Sequence, residues 1–192
     1  MPARESHCPV SPEDYLAGET TSDVRHEFVD GEVFAMTGAS LRHNSVVLNL
    51  ASLLKARLRG SPCRVFVEAV KLHVARDNAY YYPDVMVACS DKVQGLASDE
   101  YVVTDPVLVI EVLSPGTESI DRREKLLSYR KLPSLVEYLM VSQSGHGSTL
   151  YRRTSEVSWE TFEFDFGEDM ELSSVEMSIP FTGLFEDVPL KP

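Results

Sequence analysis

Apolar residues return along this chain at spacings that change from one stretch to the next, and each spacing predicts a different element. Val46, Val47, Leu50, Leu53, Leu54 and Leu58 recur at three- and four-residue steps, so a helix with one buried face is expected from about Leu41 to Arg59, stopped by Gly60 and Pro62. Upstream, Ser11-Pro12-Glu13-Asp14-Tyr15-Leu16 reads as a capped helical turn, and apolar residues flanking Asp30-Gly31 read as a hairpin. Arg64 to Val74 and Tyr80 to Cys89, separated by the turn-prone Asp77-Asn78, read as paired strands. Val107 to Leu113 is almost wholly apolar, which predicts a central strand covered on both faces.

A further helix is expected from Asp121, with Glu124 three residues on as in a capping box, to about Leu132. Pro133 blocks it, and Glu137 to Val141 forms another strand. Thr149 to Arg152 and Trp159 to Asp165 add hairpins. The expected class is α/β (α+β): a mixed central sheet flanked by helices, with additional N- and C-terminal β-hairpins. It forms one domain over 1–192, with a core of about 24–145 and a C-terminal β extension of about 146–192.

Composition narrows the function classes. A chain of 192 residues with 43% hydrophobic content can bury one sizeable core. Lys and Arg number 18 against 30 Asp and Glu, a net charge of −12, so any contact with nucleic-acid phosphates has to be local. Cys8, Cys63 and Cys89 are odd in number, widely spaced and form no CxxC pair, so neither a disulfide framework nor a zinc site is expected and a reduced compartment fits. Met1 to Tyr15 has no apolar leader stretch, and no apolar run is long enough to cross a membrane. The expectation is a soluble cytoplasmic protein with no membrane partner.

Chemistry enters with two acids set in apolar strands. Asp84 lies in Tyr81-Tyr82-Pro83-Asp84-Val85-Met86-Val87, and Glu111 in Val107-Leu108-Val109-Ile110-Glu111-Val112-Leu113. A carboxylate in a buried run needs a cation to offset its desolvation, and two such strands side by side would bind one hard divalent ion, Mg²⁺ or Mn²⁺. Asp121, Lys125 and Tyr129 follow at four-residue spacing, which puts them on one helical face and lets Lys125 point at the same cleft. Two metal-binding carboxylates beside a lysine suit phosphodiester hydrolysis by a metal-activated water. Each residue also has a plainer role: a strand-entry cap for Asp84, a structural ion pair for Glu111, a solvated helix face for Lys125, core packing for Tyr129 and a capping bond for His43.

Phe28-Val29-Asp30-Gly31-Glu32, Arg42-His43-Asn44, Pro83-Asp84, the run Glu111-Val112-Leu113-Ser114-Pro115-Gly116-Thr117, and Asp121 with Lys125 and Tyr129 together resemble the Uma-two family of restriction endonuclease-like proteins, in the PD-(D/E)xK nuclease superfamily. The resemblance spans roughly Tyr15 to Arg152. It implies a restriction-endonuclease-like core, Asp84 and Glu111 as metal-binding acids, Mg²⁺ or Mn²⁺ as cofactor, nucleic acid (DNA first) as partner, and a homodimer. The superfamily lysine would stand two residues after the glutamate, where this chain has Leu113. Lys125 is the matching position on the next helix, and Lys71 is a weaker substitute. Glu32 is a candidate third acid and Tyr129 a weaker site residue. The alternative function is a weakly active or inactive nuclease-fold protein serving as a DNA- or protein-binding accessory module.

Overall fold

A computed structural model describes residues 9–93, 101–114 and 121–189, without the side chains of 92, 121 and 122. Helix α1, Pro12–Glu19, starts where Ser11 accepts a hydrogen bond from the Asp14 amide and Pro12 occupies the first turn. It leads into the hairpin β1, His26–Val29, and β2, Glu32–Ala35, closed by Asp30 and Gly31 with positive φ of 46° and 93°. Helix α2, Leu41–Arg57, is capped by the Ser40 hydroxyl and buries Val46, Val47, Leu50 and Leu54. The expected period is therefore the buried stripe.

The two long strands expected between Arg64 and Cys89 each break in the middle. Four strands result: β3, Arg64–Val67; β4, Lys71–Val74; β5, Ala79–Tyr81; and β6, Val85–Ala88. The breaks fall at Glu68, whose φ is +38°, and at Pro83-Asp84. At these points the hairpin steps from one sheet into another, which no local pattern in the sequence announces. The remaining strands are β7, Val102–Val103; β8, Pro106–Leu113; β9, Glu137–Ser142; β10, Ser148–Arg153; β11, Trp159–Phe164; β12, Asp169–Leu172; and β13, Met177–Pro180.

One sheet runs β11-β10-β9-β8-β6-β3, with β8 central and parallel to β9. A second runs β2-β1-β5-β4-β7, and β12 pairs with β13 alone. Alternation along β8 sends Leu108, Ile110 and Val112 to one face of the large sheet, against α2, the β12–β13 hairpin and the turn Phe181–Phe185. Val109 and Leu113 go to the other face, against Leu72, Val74 and Tyr81 of the second sheet and the short helix α3, Leu126–Tyr129. The helix expected from Asp121 begins instead as a π-helical turn, Asp121–Lys125, before α3. The C-terminal segment supplies much of one core, from Met170 to Val188.

The cysteine expectation is corrected here. Arg64 faces Ala88 in the antiparallel β3–β6 register, so Cys63 and Cys89 come opposite one another and are disulfide-bonded, 26 residues apart in sequence. Cys8 lies outside the described residues. Arg152 and Arg153 have structural work. Arg152 donates to Glu137 at 2.7 Å, and Arg153 donates to the carbonyls of Arg130, Leu132 and Leu135, closing the end of α3. No described helix is long and apolar enough to cross a membrane.

Candidate active site

Pairing fixes where the two strand acids stand. Val85 of β6 lies opposite Ile110 of β8, so Asp84, one step before the strand, comes level with Glu111. Both approach a cleft of about 680 Å³ lined by His43, Glu68, Tyr82, Asp84, Glu111 and Lys125 among others. The Asp84 carboxylate accepts a hydrogen bond from the Val112 amide at 2.7 Å and lies 3.2 Å from His43 Nε2. His43 is delivered by the cap of α2: its amide donates to Ser40 Oγ at 3.1 Å, which turns the ring into the protein, where it is 8% exposed.

Burial pulls the His43 pKa down, but the hydrogen bond and charge of Asp84 more than offset it, and the pKa is raised. Glu68 completes this group, because ligand atoms of His43, Glu68 and Asp84 all lie within 4.8 Å of one another. The strand switch at Glu68 is what aims it, and Arg25 holds its carbonyl at 3.0 Å. Two carboxylates and an imidazole at this spacing fit an octahedral divalent ion after a small closing movement. The imidazole inclines the set toward Mn²⁺, which tolerates a nitrogen ligand better than Mg²⁺ does.

Glu111 stands beside this group, outside it. Its Oε1 receives the Tyr129 hydroxyl at 2.8 Å and Lys125 Nζ at 3.2 Å, and all three residues are buried. Lys125 and Tyr129, four residues apart, thus converge on one oxygen. Lys125 also meets Glu27 of β1 at 3.0 Å, and the same Glu27 oxygen accepts the Tyr82 amide at 3.2 Å. Burial first, and then the charges of Glu111 and Glu27, hold the Tyr129 hydroxyl far above the ordinary tyrosine range, so it is a donor at any working pH.

Asp84 thus groups with His43 and Glu68, while Glu111, level with Asp84 and lining the same cleft, bonds Lys125 and Tyr129. Glu32 does not reach the cleft. It shares a face with Glu27 but lies on the exposed edge strand β2, one strand farther out and at the turn end of the hairpin. Lys71 is buried with its ammonium 5.2 Å from the centre of the Tyr82 ring and does not line the cleft. The Asp121 side chain and Pro115, Gly116 and Thr117 lie outside the described residues. Glu27 and Glu68 were not anticipated. Glu68, in Phe66-Val67-Glu68-Ala69-Val70, carries the same signal that singled out Asp84, an acid inside an apolar strand.

Comparison with known proteins identifies the family and the fold. Residues 12–182 match the family described as "Uma2: Putative restriction endonuclease". Two uncharacterized proteins of Synechocystis sp., slr1290 and sll1609, are each 32% identical to the chain. The first match covers 88% of this chain and 87% of the relative, the second 86% and 93%. A crystal structure described as a putative nuclease from Anabaena variabilis shares the fold, with a TM-score of 0.74 over 92% of this chain and 98% of its own, at 15% identity. On the span of the family match and the extent of these identities, the chain belongs to the Uma2 family and has its restriction-endonuclease-like fold.

Proposed function

We propose that this protein is a divalent-metal-dependent endonuclease that hydrolyses phosphodiester bonds in DNA. The observation that carries the reading is that a two-carboxylate, one-imidazole cluster and a buried lysine line the same cleft. His43, Glu68 and Asp84 would hold the ion, with Mn²⁺ or Mg²⁺ as occupant. A bound ion of this kind neutralises phosphate charge and makes water more acidic. Lys125 supplies a cation for a phosphate oxygen, and its carboxylate neighbours Glu111 and Glu27 hold it in place. Tyr129, held as a donor, fixes the Glu111 carboxylate and so the lysine. The Val112 amide orients the Asp84 carboxylate. Cutting both strands of a duplex calls for two such sites, so the reading includes a homodimer on the substrate.

A second reading is favoured by one observation: Lys125 already faces two carboxylates, Glu111 and Glu27, in a chain of net charge −12. On that reading the protein keeps the fold as a DNA- or protein-binding accessory. The two separate in a calorimetric titration of Mn²⁺ into wild type and Asp84→Ala, followed by nicking of supercoiled plasmid by wild type and Glu111→Gln. Saturable binding lost in the first variant and nicking lost in the second are expected. Equal Mn²⁺ binding with and without Asp84 overturns the metal-dependent mechanism, and nicking that survives Glu111→Gln overturns the role given to Glu111. Mn²⁺ binding without nicking of any single- or double-stranded DNA leaves the accessory.

A further inference from the structure

Charge is distributed unevenly along this acidic chain. Between Glu32 and Glu68 there is no Asp or Glu, while Arg42, Lys55, Arg57, Arg59 and Arg64 fall in that interval. Four of the five lie within the ten residues from Lys55 to Arg64, at the C-terminal end of α2 and the start of β3. Lys55, Arg57 and Arg59 are exposed, so their charges face solvent. Arg64 donates instead to the carbonyls of Ser61 and Cys63 at 2.9 Å, which fixes the turn between the two elements. A surface depression of about 690 Å³ lies here, lined by Ser52, Lys55, Arg59, Ser61, Arg64 and Phe66 among others. The hydroxyls and cations around it match what phosphate oxygens accept.

The two elements that carry this patch also carry the site. Helix α2 presents His43 at its first turn and Arg57 at its last, a separation of about 20 Å at the helical rise. Strand β3 starts at Arg64 and ends one residue before Glu68. At about 3.4 Å per base pair, 20 Å is roughly six base pairs of duplex. We propose that Lys55 and Arg59, four residues apart and both lining this depression, form a backbone-binding surface that grips DNA about half a helical turn from the bond in the cleft. This rests on the nucleic-acid reading above. It also accounts for how a chain of charge −12 could approach a polyanion: the contact is concentrated on one end of one helix.

The test uses the whole protein and a double variant, Lys55→Gln and Arg59→Gln, whose side chains are exposed and whose folding is checked by circular dichroism. Anisotropy of a fluorescein-labelled 20-base-pair duplex is followed in EDTA from 50 to 200 mM NaCl. Removing two phosphate contacts should lower the slope of log affinity against log salt by about 1.8 and weaken binding at least ~5-fold at low salt. Hydrolysis of bis(p-nitrophenyl) phosphate in Mn²⁺, a substrate too short to span the gap, should be the same in both proteins. Unchanged duplex affinity and slope in the double variant, with hydrolysis of the small ester intact, overturn the patch and leave the endonuclease standing. A wild type that neither binds duplex nor hydrolyses the ester overturns both. Polyglutamate bound as tightly as duplex, with the same loss in the variant, makes the partner an acidic polypeptide and overturns the DNA assignment.

Discussion

Replacing Glu137 with alanine should cost more stability than any change in the cleft. Glu137 starts β9 and is 0% exposed, pointing to the α2 face of the large sheet, opposite to Glu111. Five donors converge on its carboxylate: Arg152 Nε at 2.7 Å, the Ser173 amide and hydroxyl at 3.1 and 3.0 Å, and the Ser174 amide and hydroxyl at 2.9 and 2.5 Å. It thereby ties the turn Ser173–Val175, between β12 and β13, to the central sheet. Deleting one partner of a buried ion pair costs about 3–5 kcal/mol, and each buried donor left unmet about 1–3 kcal/mol. Ser173 is exposed and regains water, and Arg152 keeps the Glu171 carbonyl at 2.7 Å, so the sum is not additive.

We expect a loss of about 3–4 kcal/mol, a large share of the roughly 5–15 kcal/mol that holds a domain together. With a urea m-value of about 2–3 kcal/mol/M, the midpoint should fall by about 1–2 M at constant m. Glu137→Gln, which keeps the shape and part of the bonding, should fall between. A midpoint shift under about 0.3 M for Glu137→Ala would refute the idea that this carboxylate anchors the C-terminal hairpin.

Lys125→Ala should lower plasmid nicking about 10²- to 10³-fold while leaving the Mn²⁺ affinity within a few-fold, since it removes a transition-state cation and no cluster residue; nicking unchanged by the substitution would show that the lysine is structural. Reducing the Cys63–Cys89 bond, which closes a 26-residue separation, should lower the urea stability by up to about 3.5 kcal/mol, and Cys63→Ala should abolish that response to dithiothreitol. An untreated protein that already behaves as the reduced one would argue against the bond in solution. Burial raises the pKa of Glu19, but hydrogen bonds from Tyr82 and His26 outweigh it, and the folded-state value is lowered. The stability it contributes is therefore present above the ordinary value of 4.5 and fades as pH drops below it. Glu19→Gln should flatten the acid limb of the melting temperature against pH, and an unaltered limb would count against the network.

Elements whose logic is local could be read from the sequence. The stripe of α2 and the apolar run of β8 each state their own burial, and Asp84 and Glu111 declared themselves because an acid in such a run needs an explanation. What the sequence hid depends on partners distant in the chain. The breaks at Glu68 and Pro83 come from strands leaving one sheet for another, and the disulfide comes from a register between residues 63 and 89. Glu27 displaced Glu32 because β2 is an edge and β1 is not, a fact of sheet order. His43 combined the capping bond expected of it with a place in the cleft, since the Ser40 cap that starts the helix also steers the ring.

The left-handed backbone at Glu68 sets up a conflict between durability and activity. Its φ of +38° is a conformation that an L-residue with a long side chain adopts at a cost of about 1–2 kcal/mol, and one that glycine adopts freely. A selection for heat resistance alone would accordingly favour Glu68→Gly, gaining stability while discarding a carboxylate of the cluster. On the nuclease reading, laboratory evolution of this chain for thermal tolerance should yield robust proteins unable to hold the proposed ion, unless cleavage is screened in the same round.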